Sequence, residues 1–490
     1  MSTTTEQLTS DTSLGEIVHQ TLDQPTRRQV PPAGSDDSRD PIHRLQELSD
    51  GSPLRLLAAS DGAVSALGRL GDTACVMFAT DPRRKGGAMG ADGCAEIVAA
   101  YNLAMRLDIP VVGVWQSGGA RLAEGAFGLD AVGTVFAAMT KASGVVPQIS
   151  IVLGPAAGGA AYGPALTVVV IVGPDARVFV TGPDIVTSVT GEAVDAEALG
   201  GPDVHAKSSG LSHIRAATHE EAFARAREVA SLLANVKKSA APTTPTRDIT
   251  ELVPTNPRRA YDVRPILDAL LDVAPTELHR EWAPNVVTSL GRLDGQPVGV
   301  IANNPIRMGG CLTAVASEKA ARFVRLCDSF GIPLVVVVDV PGYLPGRKQE
   351  ADGIVRRGAK LLHAFAAARV PRFTVITRKA YGGAYIAMNS KSLGASRVLA
   401  WPTAVVDVMG SEAAVAITRR RDIAELPEHS REAGIARFAA EHSQLAGGLD
   451  RAVQLGIVDD VIEPAQTRAT LASLLATCTP TRSREKNIPL

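Results

Sequence analysis

The sequence predicts an α/β protein built from two tandem domains that are related by internal duplication. Three observations lead to this fold class. The chain has 490 residues, more than one ordinary hydrophobic core organises. Its most apolar segments are continuous β-branched runs, which are typical of strands covered by helices on both faces. The same motifs also recur, in the same order, in the two halves of the chain.

The repeat has a constant spacing over its first part. GRL at 68–70 recurs at 291–293, and DPRRKGGAMG, which starts at 81, recurs as NPIRMGGCLT, both 223 residues later. Further along the spacing becomes 224, with Gly118 matching Gly342 and Gly158 matching Gly382. One inserted residue explains the change. Glycine-rich turns that merely look alike explain one match but not a series in register.

Helix and strand patterns support layered α/β units in each half. Residues 317–331 place apolar side chains on one helical face, with Ser317 predicted as the N-cap and Gly331 as the end of the helix. PLVVVVDV at 333–340 predicts a buried strand directly after this helix.

Composition sets the domain limits. Residues 1–40 are rich in Ser, Thr, Pro and Asp and are expected to form a flexible arm. The first domain is predicted over 41–236 and the second over 260–478. The segment 237–259 contains four prolines and is interpreted as a linker, and 479–490 as a polar tail.

Charge and cysteine content exclude several classes of protein. The formal net charge is -1 and the pI is near 6.8, so no basic surface for nucleic acid is expected. Five cysteines, an odd number and far apart, indicate neither a disulfide framework nor a zinc ribbon. The first twenty residues lack the apolar region of a signal sequence, and the apolar runs of the chain are too short for a membrane span. We therefore expect a cytoplasmic protein that binds neither nucleic acid nor membrane.

A Gly-Gly turn between a strand and an Ala-rich helix occurs once per half, in PAAGGAAYG and in RKAYGGAYIAM. Glycines at this place leave backbone N–H groups uncovered, and the first amides of a helix have no intrahelical acceptor. Such amides can form an oxyanion hole. Two holes predict a reaction in which two carbonyl oxygens gain charge, for example an enolate and a urea oxygen. A phosphate cradle is disfavoured, because neither G-x-x-x-x-G-K-[ST] nor a helix-opening G-x-G-x-x-G is present.

Side-chain candidates are weaker. Ser117 lies in QSGGAR and not in G-x-S-x-G, so nucleophilic catalysis is not indicated. His205 and His213 suggest a metal site, but loop or core histidines with satisfied hydrogen bonds are the favoured interpretation, and no metal is assigned. Arg121 and Glu124 have the spacing of an ion pair on one helical turn.

Several longer motifs, taken together, identify a family. SGGARLAEG, GPAAGGAAYGPAL, VTGPDIVTSVTGE, IVRRGAKLLHAF, RKAYGGAYIAM and AWPTAVVDVMG follow one another between about residues 40 and 475. In this order they resemble the β (carboxyltransferase) subunit of biotin-dependent acyl-CoA carboxylases, most closely the actinobacterial acetyl/propionyl-CoA carboxylase β subunits.

The resemblance implies two crotonase-like domains of the β-β-α superhelix type, and a dimer-built homo-oligomer, usually a hexamer. It also implies an active site between the first domain of one subunit and the second domain of its dimer partner. Gly158 and Gly159 would hold the thioester enolate of the acyl-CoA substrate, and Gly383 and Ala384 the ureido oxygen of carboxybiotin. Carboxybiotin would supply CO2 and take up the α-proton, so that no side-chain base is required.

The same resemblance implies a set of substrate-binding residues around the two turns. Ile386 stands where some propionyl-type members carry Asp, and an apolar residue there looks more like acetyl-accepting or mixed enzymes. One methylene changes binding by only about 1 to 3 kcal/mol, so acetyl against propionyl stays open. The full set is Gly118, Gly119, Ala160, Tyr162, Gly382, Tyr385 and Ile386.

Arg356, Arg357 and Lys360 are candidates for an anionic group such as a coenzyme A phosphate, with a solvated helix face as the alternative. The sequence departs from the family at Gln116, where DSGGAR is usual, and it lacks the longer N-terminal segment with an A-R-E-R-I-like helix.

The chain has no A-M-K-M biotinylation site and no ATP-binding glycine-rich loop, so a separate biotinylated α subunit is implied as partner. The predicted reaction converts acetyl-CoA to malonyl-CoA or propionyl-CoA to methylmalonyl-CoA, for fatty-acid or related lipid synthesis. The alternatives are a subunit of a biotin-dependent decarboxylase, a crotonase-type hydratase, isomerase or thioesterase, and an idle scaffold. The duplicated turn argues against the last two.

Overall fold

The computed structural model describes residues 37–234, 249–256, 259–446, 448–479, 481–483 and 485–487. These residues fold into two compact units. The first contains the described residues up to 234 together with 485–487, and the second those from 249 to 483. The arm predicted for 1–40 lies almost entirely outside the described residues, and the predicted domain limits stay a prediction.

The first unit is built on an eight-stranded sheet. Its strands run in the order β1-β2-β3-β4-β5-β6-β8, with β7 paired to β5. The first three strands are antiparallel, and all pairs from β3 onward are parallel. The strands are β1 (Arg55–Ala59), β2 (Ala63–Leu70), β3 (Thr73–Thr80), β4 (Val111–Ser117), β5 (Gln148–Ala157), β6 (Val169–Val172), β7 (Arg177–Phe179) and β8 (Ile214–Arg215).

The second unit repeats this sheet strand for strand. Its order is β9-β10-β11-β12-β13-β14-β16, with β15 paired to β13, and the change from antiparallel to parallel pairing again comes at the third strand. The strands are β9 (Thr276–Leu278), β10 (Val286–Leu293), β11 (Gln296–Asn303), β12 (Leu334–Val340), β13 (Arg372–Tyr381), β14 (Arg397–Ala400), β15 (Val405–Asp407) and β16 (Asp460–Val461). The predicted α/β class with two repeated domains is confirmed.

Helices connect the strands of both sheets. The α-helices of the first unit are Pro41–Leu48, Ala91–Leu107, Gly125–Ala142, Gly159–Ala165, Pro183–Thr190, Ala196–Gly200, Pro202–Val204 and His219–Leu233, with a π-turn at His205–Ser209 and 3-10 turns at Lys85–Gly87 and Leu122–Glu124. Those of the second are Arg264–Leu270, Ala314–Ser329, Arg347–Ala351, Ile354–Ala367, Gly382–Ala387, Ser411–Thr418, Arg420–Glu425, Arg431–Ala446, Gly448–Gln454 and Thr467–Thr477, with 3-10 turns at Ile249–Leu252, Met308–Gly310, Lys391–Leu393, Glu428–Ser430 and Pro464–Gln466.

Strand register locates the inserted residue of the repeat. In the first unit Val111 of β4 lies opposite Gln148 of β5, and in the second Leu334 of β12 lies opposite Arg372 of β13. The spacing is thus 223 at the first position of each pair and 224 at the second. The extra residue therefore lies between the two paired strands of the second unit.

The match of Gly118 with Gly342 was wrong by one residue. Gly119 accepts a hydrogen bond from Met89 N at 2.7 Å, and Gly342 accepts the equivalent bond from Leu312 N at 3.0 Å. Both glycines also have positive φ, 98° and 147°. The spacing is therefore still 223 at this turn. Residues of the two units correspond when they form the same backbone hydrogen bonds, and the first glycine of each sequence motif does not identify them.

The helix predicted for 317–331 starts earlier than expected. It runs from Ala314 to Ser329, and its N-cap is Thr313, whose side chain accepts from Ala316 N at 3.1 Å. Ser317 instead donates to the Thr313 carbonyl at 2.9 Å, a bond typical of serine inside a helix. The N-cap prediction at Ser317 is wrong, since a better cap lies one turn upstream.

Parts of the predicted linker and tail contribute to packing. Ile249 is 2% exposed and belongs to the core of the second unit. Near the other end of the chain, Asn487 N donates to Ser143 Oγ at 3.1 Å within the first unit. These contacts show that low-hydrophobicity segments still supply single anchoring residues.

One described segment, Leu122–Ala142, is long and apolar enough to cross a membrane by length and composition alone, with 28% of it buried. A single helix of this kind is a weak indication of a span. Its buried face, with Val132, Val135 and Met139, packs into the core of the first unit, while Leu122 and Phe127 stay exposed.

Candidate active site

The two Gly-Gly turns lie at the carboxyl ends of β5 and β13. This is the edge of a parallel sheet at which ligands usually bind in α/β folds. Each turn begins with a glycine in the left-handed region, Gly158 with φ 56° and Gly382 with φ 58°. Residues with a Cβ rarely adopt this conformation, so the turn depends on glycine at these two positions.

In the first turn the amides differ in what they bind. Gly158 N donates to the carbonyls of Phe179 and Val180, at 3.2 and 3.1 Å. Among the described residues, no backbone acceptor meets the amides of Gly159 and Ala160. The donor pair predicted at Gly158 and Gly159 is therefore corrected. The Gly158 amide is already hydrogen-bonded to β7 and to the residue after it. The amides of Gly159 and Ala160 are the pair that has no backbone acceptor among the described residues.

The second turn presents the equivalent pair, Gly383 and Ala384. No acceptor for either amide is found within the part of the chain that the structure describes. Gly383 is exposed, and a Cβ built on it would have nothing within 4 Å. Both amides of this turn are thus available to an acceptor, and the role predicted for them stays a prediction.

Apolar side chains back the first turn. A Cβ on Gly159 would lie 2.7 Å from Val132 Cγ1 and 3.7 Å from Met89 Cε. The ring of Tyr162, a predicted substrate-binding residue, meets Phe136 edge to face at 6.3 Å and is half exposed. Apolar side chains therefore pack against Gly159, and the aromatic ring of Tyr162, later in the same helix, is half exposed.

Gly118 and Gly119, predicted to bind substrate, use their amides inside the protein. Gly118 N donates to Gly86 O at 3.1 Å, and Gly119 N to Ser117 Oγ at 3.2 Å. A Cβ on Gly119 would lie 2.8 Å from Ala157 O. These glycines let the turn after β4 pack directly against the strand that carries the amide pair.

Tyr385 and Ile386 follow the second turn. The Tyr385 hydroxyl is buried, and no hydrogen-bond partner for it is found among the described residues. Burial raises the pKa of Tyr385 to about 12, with the Asp459 carboxylate as a lesser cause. Ile386 is 43% exposed and occupies the position equivalent to Tyr162. The second turn therefore has the apolar Ile386 beside it, and the Tyr385 phenol stays protonated at neutral pH.

Arg121 forms more than the predicted surface ion pair. Its Nη1 is 3.2 Å from Glu124 Oε1, as expected, and 3.1 Å from Asp61 Oδ2, and the residue is only 8% exposed. Glu124 Oε2 also accepts from Ala91 N at 2.8 Å. Glu124 thus also binds the first amide of helix Ala91–Leu107, a contact that sequence spacing alone did not reveal.

Gln116, the departure from the family motif, contacts a buried arginine. Arg44 is 1% exposed and its Nη2 donates to Gln116 Oε1 at 2.7 Å. Burial lowers the pKa of Arg44 to about 10. At the equivalent place in the second unit, Asp339 pairs with Arg378 at 2.9 Å. Sequence reasoning missed this contact because the partner comes from residue 44, outside the repeated motifs.

Both histidines form hydrogen bonds within the first unit. His205 Nε2 lies 2.8 Å from Val178 O and Nδ1 lies 2.8 Å from Ser209 Oγ, while burial lowers its pKa. His213 Nδ1 accepts from Val170 N at 3.2 Å. Over the described ranges, no group of three or more His, Cys, Asp or Glu side chains gathers as a metal site would require.

Two of the three basic candidates on helix Ile354–Ala367 already form ion pairs. Glu318 pairs with Arg357 at 3.4 Å and with Lys360. Arg356 stays exposed. An anion would therefore have to compete with Glu318 for two of the three predicted ligands.

Comparisons with known proteins show what this chain is similar to. Residues 38–487 match the model of the carboxyl transferase domain family. The chain is 55% identical over 461 residues to the biotin-dependent acetyl-/propionyl-coenzyme A carboxylase beta6 subunit of Mycobacterium tuberculosis (strain H37Rv), covering 93% of this chain and 97% of the relative. It is 52% identical to the propionyl-CoA carboxylase beta chain of Rhodococcus erythropolis, covering 93% and 98%. Transcarboxylase 12S, solved as a hexamer with methylmalonyl-coenzyme A and methylmalonic acid bound, superposes with a TM-score of 0.85 at 38% identity, over 92% of each chain.

Proposed function

This chain belongs to the carboxyl transferase family and is an acyl-CoA carboxyltransferase, and we propose that its two amide pairs hold the two oxygens that gain charge in the reaction. The single observation that carries the assignment is the pair of uncommitted amides at the end of β5 and its repeat at the end of β13. A hydratase, isomerase or thioesterase of the same fold needs only one such pair.

In this proposal Gly159 and Ala160 donate to the thioester oxygen of the acyl-CoA. Removal of the α-proton turns that oxygen into an enolate, and fixed N–H donors stabilise the enolate more than the ground state. Losing one donor of this kind costs about 10² to 10³ in rate. Val132 and Met89 pack against this turn, which restricts the movement of the donors.

Gly383 and Ala384 would hold the ureido oxygen of biotin. The open space above Gly383 and the apolar side chain of Ile386 fit an uncharged ring. Carboxybiotin held there would supply the carboxyl group to be transferred, and the biotin left after release of CO2 would supply the basic atom for the α-proton. The chain contributes no base in this scheme, and the nearby Tyr385, with a pKa of about 12, stays protonated at neutral pH.

We further propose a biotinylated α subunit as partner, a homohexameric assembly, a cytoplasmic location and a role in fatty-acid or related lipid synthesis. Assembly is supported by exposed apolar side chains at the start of helix Gly125–Ala142: Leu122 is 94% exposed, Phe127 69% and Leu129 67%. Apolar side chains clustered in this way usually mark an interface. The helix bearing them also backs the first amide pair through Val132.

The function is tested by decarboxylation of malonyl-CoA and methylmalonyl-CoA by the purified chain, with and without free biotin, since the half-reaction run backwards needs no partner. We expect loss of the carboxyl group only when biotin is present, and the ratio of the two rates ranks acetyl against propionyl. Equal rates without biotin, in a protein shown to be assembled, would contradict the proposal.

A further inference from the structure

Both units interrupt the pairing of two strands shortly before the Gly-Gly turn. In the first unit, residues 153–155 of β5 lie opposite the single residue Gln116 of β4. In the second, residues 377–379 of β13 lie opposite the single residue Asp339 of β12. Bulges of this kind bend a strand, and they are frequent beside active sites, where they change the direction of the residues that follow. Here the strand that bulges carries the amide pair at its end.

In the second unit, the side chain opposite the bulge is bound to it. Asp339 is 2% exposed, and its carboxylate accepts from Arg378 Nε at 2.9 Å and from Lys379 N at 3.3 Å. Both donors belong to the bulge. Thr377, its remaining residue, donates from Oγ1 to Val338 O at 3.2 Å. All three residues of the bulge are therefore hydrogen-bonded to β12, although the regular pairing is interrupted there.

In the first unit, Gln116 lies at the same place with a different partner. It packs over Gly154, where a Cβ would be only 2.6 Å from Gln116 Cδ. The next residue is Pro155, which has no N–H to donate. This bulge therefore offers neither the arginine side chain nor the N–H group that Asp339 binds in the second unit. The donor is instead Arg44, whose Nη2 lies 2.7 Å from Gln116 Oε1.

The two units thus bring an arginine to this contact from different elements. Strand pairing gives a spacing of 224 residues here, so that Gly154 corresponds to Arg378. The helix before the first strand of each sheet differs in the opposite way. Pro41–Leu48 buries Arg44, whereas Arg264–Leu270 buries only apolar residues. Burying a guanidinium is unfavourable unless it is hydrogen-bonded, so an arginine supplied by two separate routes indicates a role that both turns share.

The contact lies close to the amide pair along the chain. β13 resumes its pairing with β12 at Ala380 and ends at Tyr381, and the amides of Gly383 and Ala384 follow. Fixed donors stabilise a charged oxygen only when they point at it, and a displacement of about 1 Å can cost about 100-fold in rate. A side chain that fixes the bulge therefore also fixes the direction of the donors.

We propose that Asp339 with Arg378, and Gln116 with Arg44, are positioning residues that set the direction of the two amide pairs. They act through the bulge that precedes each turn and not by contact with the reacting atoms. This inference rests on the proposed function, because it takes the amide pairs as donors to the two oxygens that gain charge. A neutral amide accepts from the arginine in the first unit, so the shared requirement is a hydrogen bond and not a carboxylate.

The test measures kcat and KM of biotin-dependent decarboxylation by the full chain, with malonyl-CoA or methylmalonyl-CoA, whichever the wild type converts faster. Asp339→Ala removes the acceptor, and we expect kcat to fall about 100-fold while KM changes less than about threefold, since the donors act mainly in the transition state. Asp339→Asn keeps a neutral acceptor of the kind that Gln116 provides, so its kcat should fall no more than about tenfold. Calorimetry should find wild-type affinity and stoichiometry for coenzyme A, which has no thioester oxygen for the amides to bind.

Lys319→Met is the control for a loss of stability in the same unit, because Lys319 Nζ binds carbonyls between β9 and β10 and at the start of β10. Its kcat per coenzyme A-binding site should equal that of the wild type. An unchanged kcat in Asp339→Ala, or a loss no larger than in Lys319→Met, would overturn the inference. So would an Asp339→Asn variant as slow as Asp339→Ala, because the carboxylate would then be required.

If Asp339→Ala does not assemble, Gln116→Ala decides in the same assay. We expect its kcat to fall about 100-fold, and a wild-type kcat would overturn the inference. A wild type without biotin-dependent decarboxylation would contradict the proposed function. Biotin-dependent activity in the wild type with unaffected variants would contradict only the positioning role.

Discussion

At the residue scale, Gly159 shows how tightly the first amide pair is held. A Cβ at this position would lie 2.7 Å from Val132 Cγ1, closer than real Cβ contacts come. Gly159→Ala should therefore tilt the turn and lower the rate of biotin-dependent decarboxylation about 100-fold or more. Gly133→Ala, on an exposed face of helix Gly125–Ala142 with nothing within reach of its Cβ, is the matched control. Equal rates for the two variants would remove Gly159 from the site.

The second pair is predicted to respond in a different way. Gly383 has open space around its Cβ, so Gly383→Val should fold and assemble normally while its side chain blocks the approach to the amides. Transfer to biotin should be abolished, and coenzyme A binding should stay unchanged, because the thioester is proposed to bind at the other turn. Steady-state transfer assays and light scattering check this together. Turnover like that of the wild type in an intact oligomer would disprove the assignment.

Gln116 offers a stability test at the same scale. It faces the buried Arg44 with a neutral amide, where the second unit uses the ion pair of Asp339 and Arg378. Gln116→Glu keeps the side-chain length and gives Arg44 a carboxylate, so we expect the free energy of unfolding to rise by about 1 kcal/mol. Gln116→Leu should lower it by about 1 to 3 kcal/mol, because Arg44 then loses an acceptor. Chemical denaturation measures both, and a stabilising Leu variant would contradict this interpretation of the contact.

At the element scale, Lys319 ties a loop to a helix in the second unit. It is 1% exposed in helix Ala314–Ser329, and its Nζ donates to the carbonyls of His279, Trp282 and Val286 at 2.7 to 2.9 Å. These carbonyls belong to the segment between β9 and β10 and to the first residue of β10. The helix therefore fixes a connection that has residues with positive φ and no regular pairing of its own.

Replacing Lys319 by Met should leave the carbonyls of Trp282 and Val286 without the Lys319 donor, whereas that of His279 still accepts from Trp282 N at 3.2 Å. We expect Lys319→Met to lower the free energy of unfolding by about 2 kcal/mol or more, since each buried acceptor that loses its partner costs about 1 kcal/mol. Lys348→Met is the control, because that lysine is 84% exposed and forms only an i,i+4 pair with Asp352. Its effect should stay within about 0.5 kcal/mol. If the two variants lost equal amounts of unfolding free energy in thermal or urea denaturation, the hydrogen bonds of Lys319 to these carbonyls would contribute little to stability.

At the scale of the whole molecule, the exposed apolar residues Leu122, Phe127 and Leu129 mark the surface proposed to contact another copy. The double variant Phe127→Glu/Leu129→Glu places two charges there and should shift the assembly toward smaller species in light scattering. Ile185→Glu, at another exposed apolar residue of the first unit, is the comparison. A full-size assembly in the double variant would show that this helix face is not the interface.

The amino-acid sequence by itself determined the fold class, the repeat and the family. β-branched runs, glycine-rich turns and the spacing of 223 and 224 residues are local or periodic properties, so they can be recognised in the sequence alone. They predicted the strands around both Gly-Gly turns and the donor pair at Gly383 and Ala384, which remains a prediction for experiment.

Only the tertiary structure decided which atoms remain available for chemistry. Gly158 and Gly159 cannot be distinguished by residue type, but β7 pairs with β5 beside the first turn, and the Gly158 amide donates to carbonyls at its end. Strand pairing likewise matched Gly119 and not Gly118 with Gly342, and an upstream helix brought Arg44 to Gln116. The physical reason is the same in each case. Hydrogen-bond partners that are distant in sequence compete for a backbone group, and the local pattern of residues does not record which one wins.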